Sequence, residues 1–376
     1  MPYSSPEKKL FFSAAENMHD GGKITAPALR FVDLHCDLPS FLLSAKRNGD
    51  TFMPERLASV LKEKVSAVIC ALYCDDRTVA EGRARQETLL MLGEFFAFAE
   101  KFPFLSFVTD KKQLSKALCE NKTALLLSIE GAECVENDLD MYCRSGVRFL
   151  GVTHSRKNKY ACGTLDPPEP EFSRSGFTAE GKKLLSEASD LGMAVDMSHL
   201  NDAGCAYLLD VYDKPLFISH GSARSLVPLQ RASSDDVLLR LAERGSVIGV
   251  TGVNFLINAS HFSEKPLPPD ILPSPTSSRR QNLITQLRDK PDTDIGRFEL
   301  LIKYLAFIGG NSFPALGTDL FYPPSPHGHA LKKKRLQGKE FGIEDVFPRY
   351  EGLKPFNDMY GLSVNSLRFI FSALPD

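Results

Sequence analysis

The sequence predicts an α/β protein built as one (β/α)8 barrel of the TIM type, and three observations predict it. Eight short apolar runs recur along the 376 residues with helical patterns between them, the alternation that builds a parallel sheet wrapped in helices. Six of the eight runs end on a histidine or an acid, and in such barrels the active site lies at the C-terminal strand ends. Length is compatible, because α/β barrels run past about 250 residues as one unit.

Residues 1–28 are polar and aperiodic and read as an N-terminal arm; residues 29–376 are the barrel. The first run, 31–37, places Asp33, His35 and Asp37 on one side by period-two alternation. A His-x-Asp at a strand end offers a metal one imidazole nitrogen and one carboxylate oxygen; a capped turn uses the same residues. The second run, 64–73, precedes a helical pattern over 83–102 in which Leu89, Leu90, Leu92, Phe95, Phe96 and Phe98 suit an amphipathic helix. The third, 123–129, runs into Glu130 and Gly131. A carboxylate there either emerges into solvent or, if buried, needs a cation or strong donors.

The fourth run, 147–153, ends at His154, and the polar stretch 155–175 reads as a loop over the site before a helix at 178–191. Runs five and six, 193–197 and 215–219, lead into His199 and His220, with a helical pattern at 202–212 between them. In a parallel fold both tips lie on one face, so these two histidines can share one ligand. Arg231 precedes Ser233, Ser234, Asp235 and Asp236, a helix start with an N-cap and early acids. Run seven is 246–252, followed by Asn254 and Phe255. A long polar insertion at 258–295 reads as a lid, a contact surface or a partly disordered segment. A helical pattern at 298–308 leads to run eight, 314–318, which ends at Asp319; residues 357–373 are a helix expected to close the barrel.

Composition narrows the partners. A net charge of -2 gives no pull toward nucleic acid or anionic membrane. The eight cysteines form no Cys-x-x-Cys pair and read as reduced thiols, neither a disulfide framework nor a zinc ribbon. With no apolar stretch of membrane-spanning length and no signal-like N-terminus, the expectation is a soluble, cytoplasmic protein. The basic stretch 327–339 reads as a solvated loop, and His19, His261, His327 and His329 fall in polar segments without a comparable signal.

Together the strand ends present His35, Asp37, Glu130, His154, His199, His220 and Asp319 on one rim. Imidazoles with carboxylates and no cysteine favour zinc or another borderline divalent ion. The ligands exceed one tetrahedral site. Two metals bridged by a carboxylate would acidify a water and polarise a carbonyl or phosphoryl oxygen, so hydrolysis is the natural chemistry.

Seven separated motifs resemble one family. They are His35-Cys36-Asp37-Leu38-Pro39, Ser128-Ile129-Glu130-Gly131, Gly151-Val152-Thr153-His154, Asp196-Met197-Ser198-His199, Ile218-Ser219-His220, Arg231 before Asp235-Asp236, and Gly317-Thr318-Asp319. In order and spacing they are similar to the renal (membrane) dipeptidase family of dizinc peptidases. The resemblance implies two Zn2+ ions, one held by His35, Asp37 and Glu130 and the second by Glu130, His199 and His220, with a hydroxide between them attacking the peptide carbonyl. It implies that His154 stabilises the carbonyl oxygen, Arg231 binds the substrate carboxylate and Asp319 passes the proton to the leaving amine. It also implies dipeptide substrates, a D-residue tolerated at the C-terminal position, and β-lactam-like bonds as further substrates; it is compatible with a homodimer.

The chain departs from the family pattern at Cys36, where Asn is frequent, and at Leu320-Phe321-Tyr322 in place of Phe-Asp-Gly. It also departs at Leu256, where some relatives carry a pocket tyrosine, and in the length of 258–295. Substrate preference therefore stays open between dipeptides and N-acyl amino acids, lactams or lactones, and a metal-binding scaffold without activity is the reading of another class.

Overall fold

A parallel strand covered on both faces needs apolar residues throughout, and the runs supply them. In the computed structural model, which describes residues 29–166, 175–257, 294–319 and 346–376, they become β1 (Phe31–Cys36), β2 (Val65–Tyr73), β4 (Thr123–Glu130), β5 (Val147–Gly151), β6 (Ala194–Asp196), β7 (Leu216–Gly221), β8 (Ile248–Val250) and β9 (Pro314–Leu316). They pair in parallel in that order. The 1–28 arm, residues 258–293 of the insertion, Leu320-Phe321-Tyr322, the 327–339 stretch and His19, His261, His327 and His329 lie outside the described residues.

Two clusters show the layers. Leu34, Ile69, Leu126, Phe149 and Phe217 pack together within the ring of strands, with the Phe149 and Phe217 rings 5.6 Å apart and Phe217 stacked 4.6 Å from Phe369 of the last helix. Val68, Leu125, Leu127, Leu150 and Ile218 pack outward against the helices. The seam between β9 and β1 is closed by Asp319 N donating to His35 O at 3.2 Å and by Asp33, whose carboxylate accepts from Thr318 N at 2.8 Å and from Thr318 Oγ1. Below that point the last helix fills the seam: Ser363 Oγ accepts from Val32 N and Ser366 Oγ from Leu316 N, both at 3.0 Å. Buried strand amides that lack a ladder partner are thereby satisfied.

Several expectations are corrected. A ninth strand, β3 (Leu105–Phe107), pairs with β4 off the barrel path; three residues carry too little pattern to be noticed. Helices at Leu38–Arg47 and Phe52–Lys64 connect β1 to β2 where no helix was expected. The helix expected at 357–373 is two, Val346–Tyr360 and Leu362–Ala373, because Gly361 takes a left-handed φ of 65° between them. In Ala84–Lys101, Met91, Leu92, Phe95 and Phe98 are buried, while Leu89, Leu90 and Phe96 are exposed. All eight cysteines carry free thiols. No helix among the described residues is long and apolar enough to cross a membrane.

Candidate active site

β1 and β7 each slip register at their histidine, between Asp33 and Cys36 and between Ile218 and Gly221. Such irregularities re-aim a side chain. The period-two expectation for Asp33, His35 and Asp37 accordingly fails. Leu34 stays in the inner cluster, His35 beside it reaches the rim, and Asp33 turns to Thr318 instead of to the site. Cys36 packs in the outer cluster with its Sγ 3.9 Å from Cys70 Sγ, away from the ligands on either side. Asp37 is the N-cap residue of Leu38–Arg47 but its side chain makes no cap bond; its Oδ1 lies 3.8 Å from His35 Nε2. The capped-turn reading is excluded.

Glu130 is buried at the tip of β4, so it does not emerge into solvent. Its two oxygens face different partners. Oε2 lies 3.5 Å from His35 Nε2, whereas Oε1 lies 3.1 Å from His199 Nε2 and 3.7 Å from His220 Nε2. The structure thus brings together His35, Glu130 and His220, and likewise Glu130, His154 and His199, with ligand atoms of each group within 4.8 Å of one another. Asp319 Oδ1 is 4.0 Å from His35 Nε2. The His154 ring lies 4.4 Å from that of Tyr73 and 4.5 Å from that of His199, tilted against both.

The donor set fits a divalent metal. His199 Nε2 and His220 Nε2 are 3.0 Å apart, and zinc bonds of 2.0–2.1 Å at tetrahedral angles set two ligand nitrogens about 3.3 Å apart. His35 Nε2 is buried without a hydrogen bond among the described residues. Burial, reinforced at His199 by Arg231 and at His220 by His35 and Arg231, lowers both imidazoles well below the ordinary value, so both are neutral, the ligand form. At His35 burial opposes charge, but Glu130, with Asp319 and Asp37, raises it well above the ordinary value. Burial likewise works against a charge on Glu130, but His35 and His199 hold it well below the carboxylate range. Burial pushes Asp319 up to about 6, with Glu130 adding to the rise against the pull of His35.

A family profile described as membrane dipeptidase (peptidase family M19) matches residues 25–328. The chain belongs to the membrane dipeptidase family. It is similar to dipeptidase tcpJ of Claviceps purpurea, 32% identical over 141 residues covering 36% of this chain and 32% of that protein. It is also similar to dipeptidase 3 of Mus musculus, 29% identical over 166 residues covering 43% of this chain and 33% of that protein. The matched stretch spans about a third of the length of these two relatives. Among solved structures, the dipeptidase AC metallopeptidase aligns over 90% of this chain and 98% of its own, at TM-score 0.63 and 18% identity. A metallopeptidase from Rhodobacter sphaeroides, liganded with a phosphinate mimic of the dipeptide L-Ala-D-Ala, aligns over 90% and 99% at TM-score 0.61 and 17% identity. These two share the barrel fold.

Within the membrane dipeptidase family framework, Arg231 and the histidines are held by residues with no role assigned from sequence, Arg224, Ser155 and Ser219. Arg231 is buried, donates through Nη2 to His220 O at 3.1 Å, and has an Nε without a hydrogen bond among the described residues. Its loop is braced by Arg224, which donates to Ala232 O at 3.0 Å and Gln230 O at 3.2 Å and pairs with Asp202 at 2.9 Å. Ser155 Oγ meets His199 Nδ1 at 2.7 Å, and Ser219 Oγ meets both His220 Nδ1 at 2.9 Å and His35 Nδ1 at 3.3 Å. A serine has no periodicity or charge to mark it, which is why sequence reasoning passed these over.

Proposed function

We propose that the protein is a zinc-dependent dipeptidase, acting on small dipeptides and accepting a D-residue at the C-terminal position. The observation that carries this is the divided Glu130 carboxylate, with Oε2 toward His35 and Oε1 toward His199 and His220. In this reading His35, Asp37 and Glu130 hold one ion, and Glu130, His199 and His220 hold the other. Metal bound there would lower the pKa of a water and polarise the scissile carbonyl.

The remaining residues divide the work. Arg231 takes the free carboxylate of the substrate, for which a guanidinium offers a bidentate match. His154, lowered from the ordinary imidazole value by burial, is neutral and donates a hydrogen bond toward the carbonyl oxygen as charge develops there. Asp319, at about 6, accepts a proton from the attacking water and returns it to the leaving amine. Acceptance of a D-residue is supported by the L-Ala-D-Ala mimic bound to the Rhodobacter sphaeroides relative.

Purified protein is expected to hold about two equivalents of zinc, one per ligand set, and to cleave both L,L and L,D dipeptides. Metal-free protein as purified, with His35→Ala as active as the parent, overturns the reading.

A further inference from the structure

The imidazoles assigned to different ions share one hydroxyl. We infer that Ser219 is a positioning residue that fixes the tautomers of His35 and His220 together, so that both ion sites depend on one serine. The inference rests on the two-zinc reading above.

The argument is a count of protons. Ser219 Oγ lies 3.3 Å from His35 Nδ1, 2.9 Å from His220 Nδ1 and 3.2 Å from Ser198 Oγ. A hydroxyl has one proton to donate and two lone pairs to accept with. Ser198 Oγ donates to the carbonyl oxygen of His220 at 3.2 Å, and a carbonyl can only accept. With the Ser198 proton spent there, one lone pair of its oxygen accepts from His220 N at 3.3 Å and the other from Ser219. The Ser219 proton is then directed at Ser198, and its two lone pairs face the two imidazoles. In that arrangement each Nδ1 carries a proton, and in the neutral form that binds metal the lone pair of each ring is then on Nε2, the atom that faces Glu130.

The backbone holds this chain in place. Asp196 Oδ1 accepts from Ser198 N and Ser219 N, both at 2.9 Å, so one buried carboxylate sets both serines. His199 is served separately: its Nδ1 meets Ser155 Oγ at 2.7 Å. Metal-ligating histidines generally need such a partner on the other nitrogen, and losing it costs about 10- to 100-fold in affinity.

Zinc release from the holoenzyme to a chromophoric chelator tests the inference. Parent protein should release zinc in two classes. Ser219→Ala should weaken both classes by about tenfold or more, whereas Ser155→Ala should weaken one. Ser219→Ala weakening one class or neither overturns the inference. Should Ser219→Ala fail to fold, Ser198→Ala decides. It frees the Ser219 hydroxyl to donate to one imidazole and should speed zinc release, and parent-like release in that variant overturns the inference. A parent that holds no zinc refutes the two-zinc reading itself, before any variant is compared.

Discussion

Gly317→Ala is expected to be among the most damaging single-methyl additions in the barrel. An ideal Cβ at Gly317 lies 1.7 Å from the carbonyl oxygen of Ser219 and 3.0 Å from Gly249 Cα. Ordinary contact begins near 3.4 Å, so the methyl and the oxygen must part by about 1.7 Å. Both obstacles are backbone, on β7 and β8, and neither can rotate away as a side chain would. Overpacking typically costs about 1–3 kcal/mol, occasionally more; with backbone on two sides the expectation is about 3 kcal/mol or more. Gly192→Ala separates sterics from backbone preference: Gly192 has a φ of 68° with nothing within 4 Å of its Cβ position, so only the left-handed penalty of about 1 kcal/mol applies. Urea denaturation of parent, Gly317→Ala and Gly192→Ala, compared by midpoint, checks this. Equal shifts in the two variants would refute the claim that β7, β8 and β9 converge this closely under the site.

Two further expectations concern charge. Burial raises Asp319 from 3.8 to about 6 in the fold, so the folded state favours the neutral carboxyl. That stabilisation is complete below about pH 4 and is lost as pH rises through 6, by about 3 kcal/mol at 1.36 kcal/mol per unit. Asparagine cannot ionise, so metal-free Asp319→Asn should gain stability relative to the parent between pH 4 and 7, and a difference independent of pH counts against the burial argument. Arg224→Gln should raise KM about tenfold for dipeptides with a free carboxylate and leave kcat nearly unchanged, since charge-assisted hydrogen bonds of about 1.5–3 kcal/mol then no longer brace the Arg231 loop. Steady-state kinetics with C-terminally amidated dipeptides supply the contrast, and an equal rise on both substrates refutes the bracing role.

The barrel was legible because a parallel strand buried on both faces leaves an apolar run in the sequence, as at 123–129. The same logic pointed to the rim: a histidine or acid that ends such a run is conspicuous, and the structure brings ligand atoms of His35, Glu130 and His220, and of Glu130, His154 and His199, within 4.8 Å of one another. What it missed has two physical causes. β3 and the helix break at Gly361 rest on three residues and one left-handed glycine, signals shorter than any periodic window. The support of the site is made of groups that look ordinary in sequence. Period-two alternation puts Asp33 on the side of His35 and Asp37, yet its carboxylate holds Thr318 across the seam. Hydrogen-bond direction at Ser155 and Ser219 becomes readable only once the partner is in place.

The backbone shows how the site is held against local preference. Among the described residues, six other than glycine have a left-handed φ: Asn121, Glu136, Asn137, Ser155, His199 and Asp319. Asparagine tolerates that region, and two of the six are asparagines in loops. Three others, Ser155, His199 and Asp319, meet at the site. Such conformations cost about 1–3 kcal/mol each and persist only where the surroundings over-determine them. Here they do. Thr164 N donates to His199 O at 2.9 Å, and Asp319 N donates to His35 O at 3.2 Å. Ser155 is crowded by Gly163, where a Cβ would fall 2.3 Å from the Ser155 carbonyl. His199 turned back toward β7 can reach His220, and Asp319 turned toward β1 can reach His35. Relaxing either residue to an ordinary φ would point its side chain elsewhere. The strain is therefore the local cost of aiming side chains from separate strands at one point, and it falls on the residues whose direction the proposed chemistry needs.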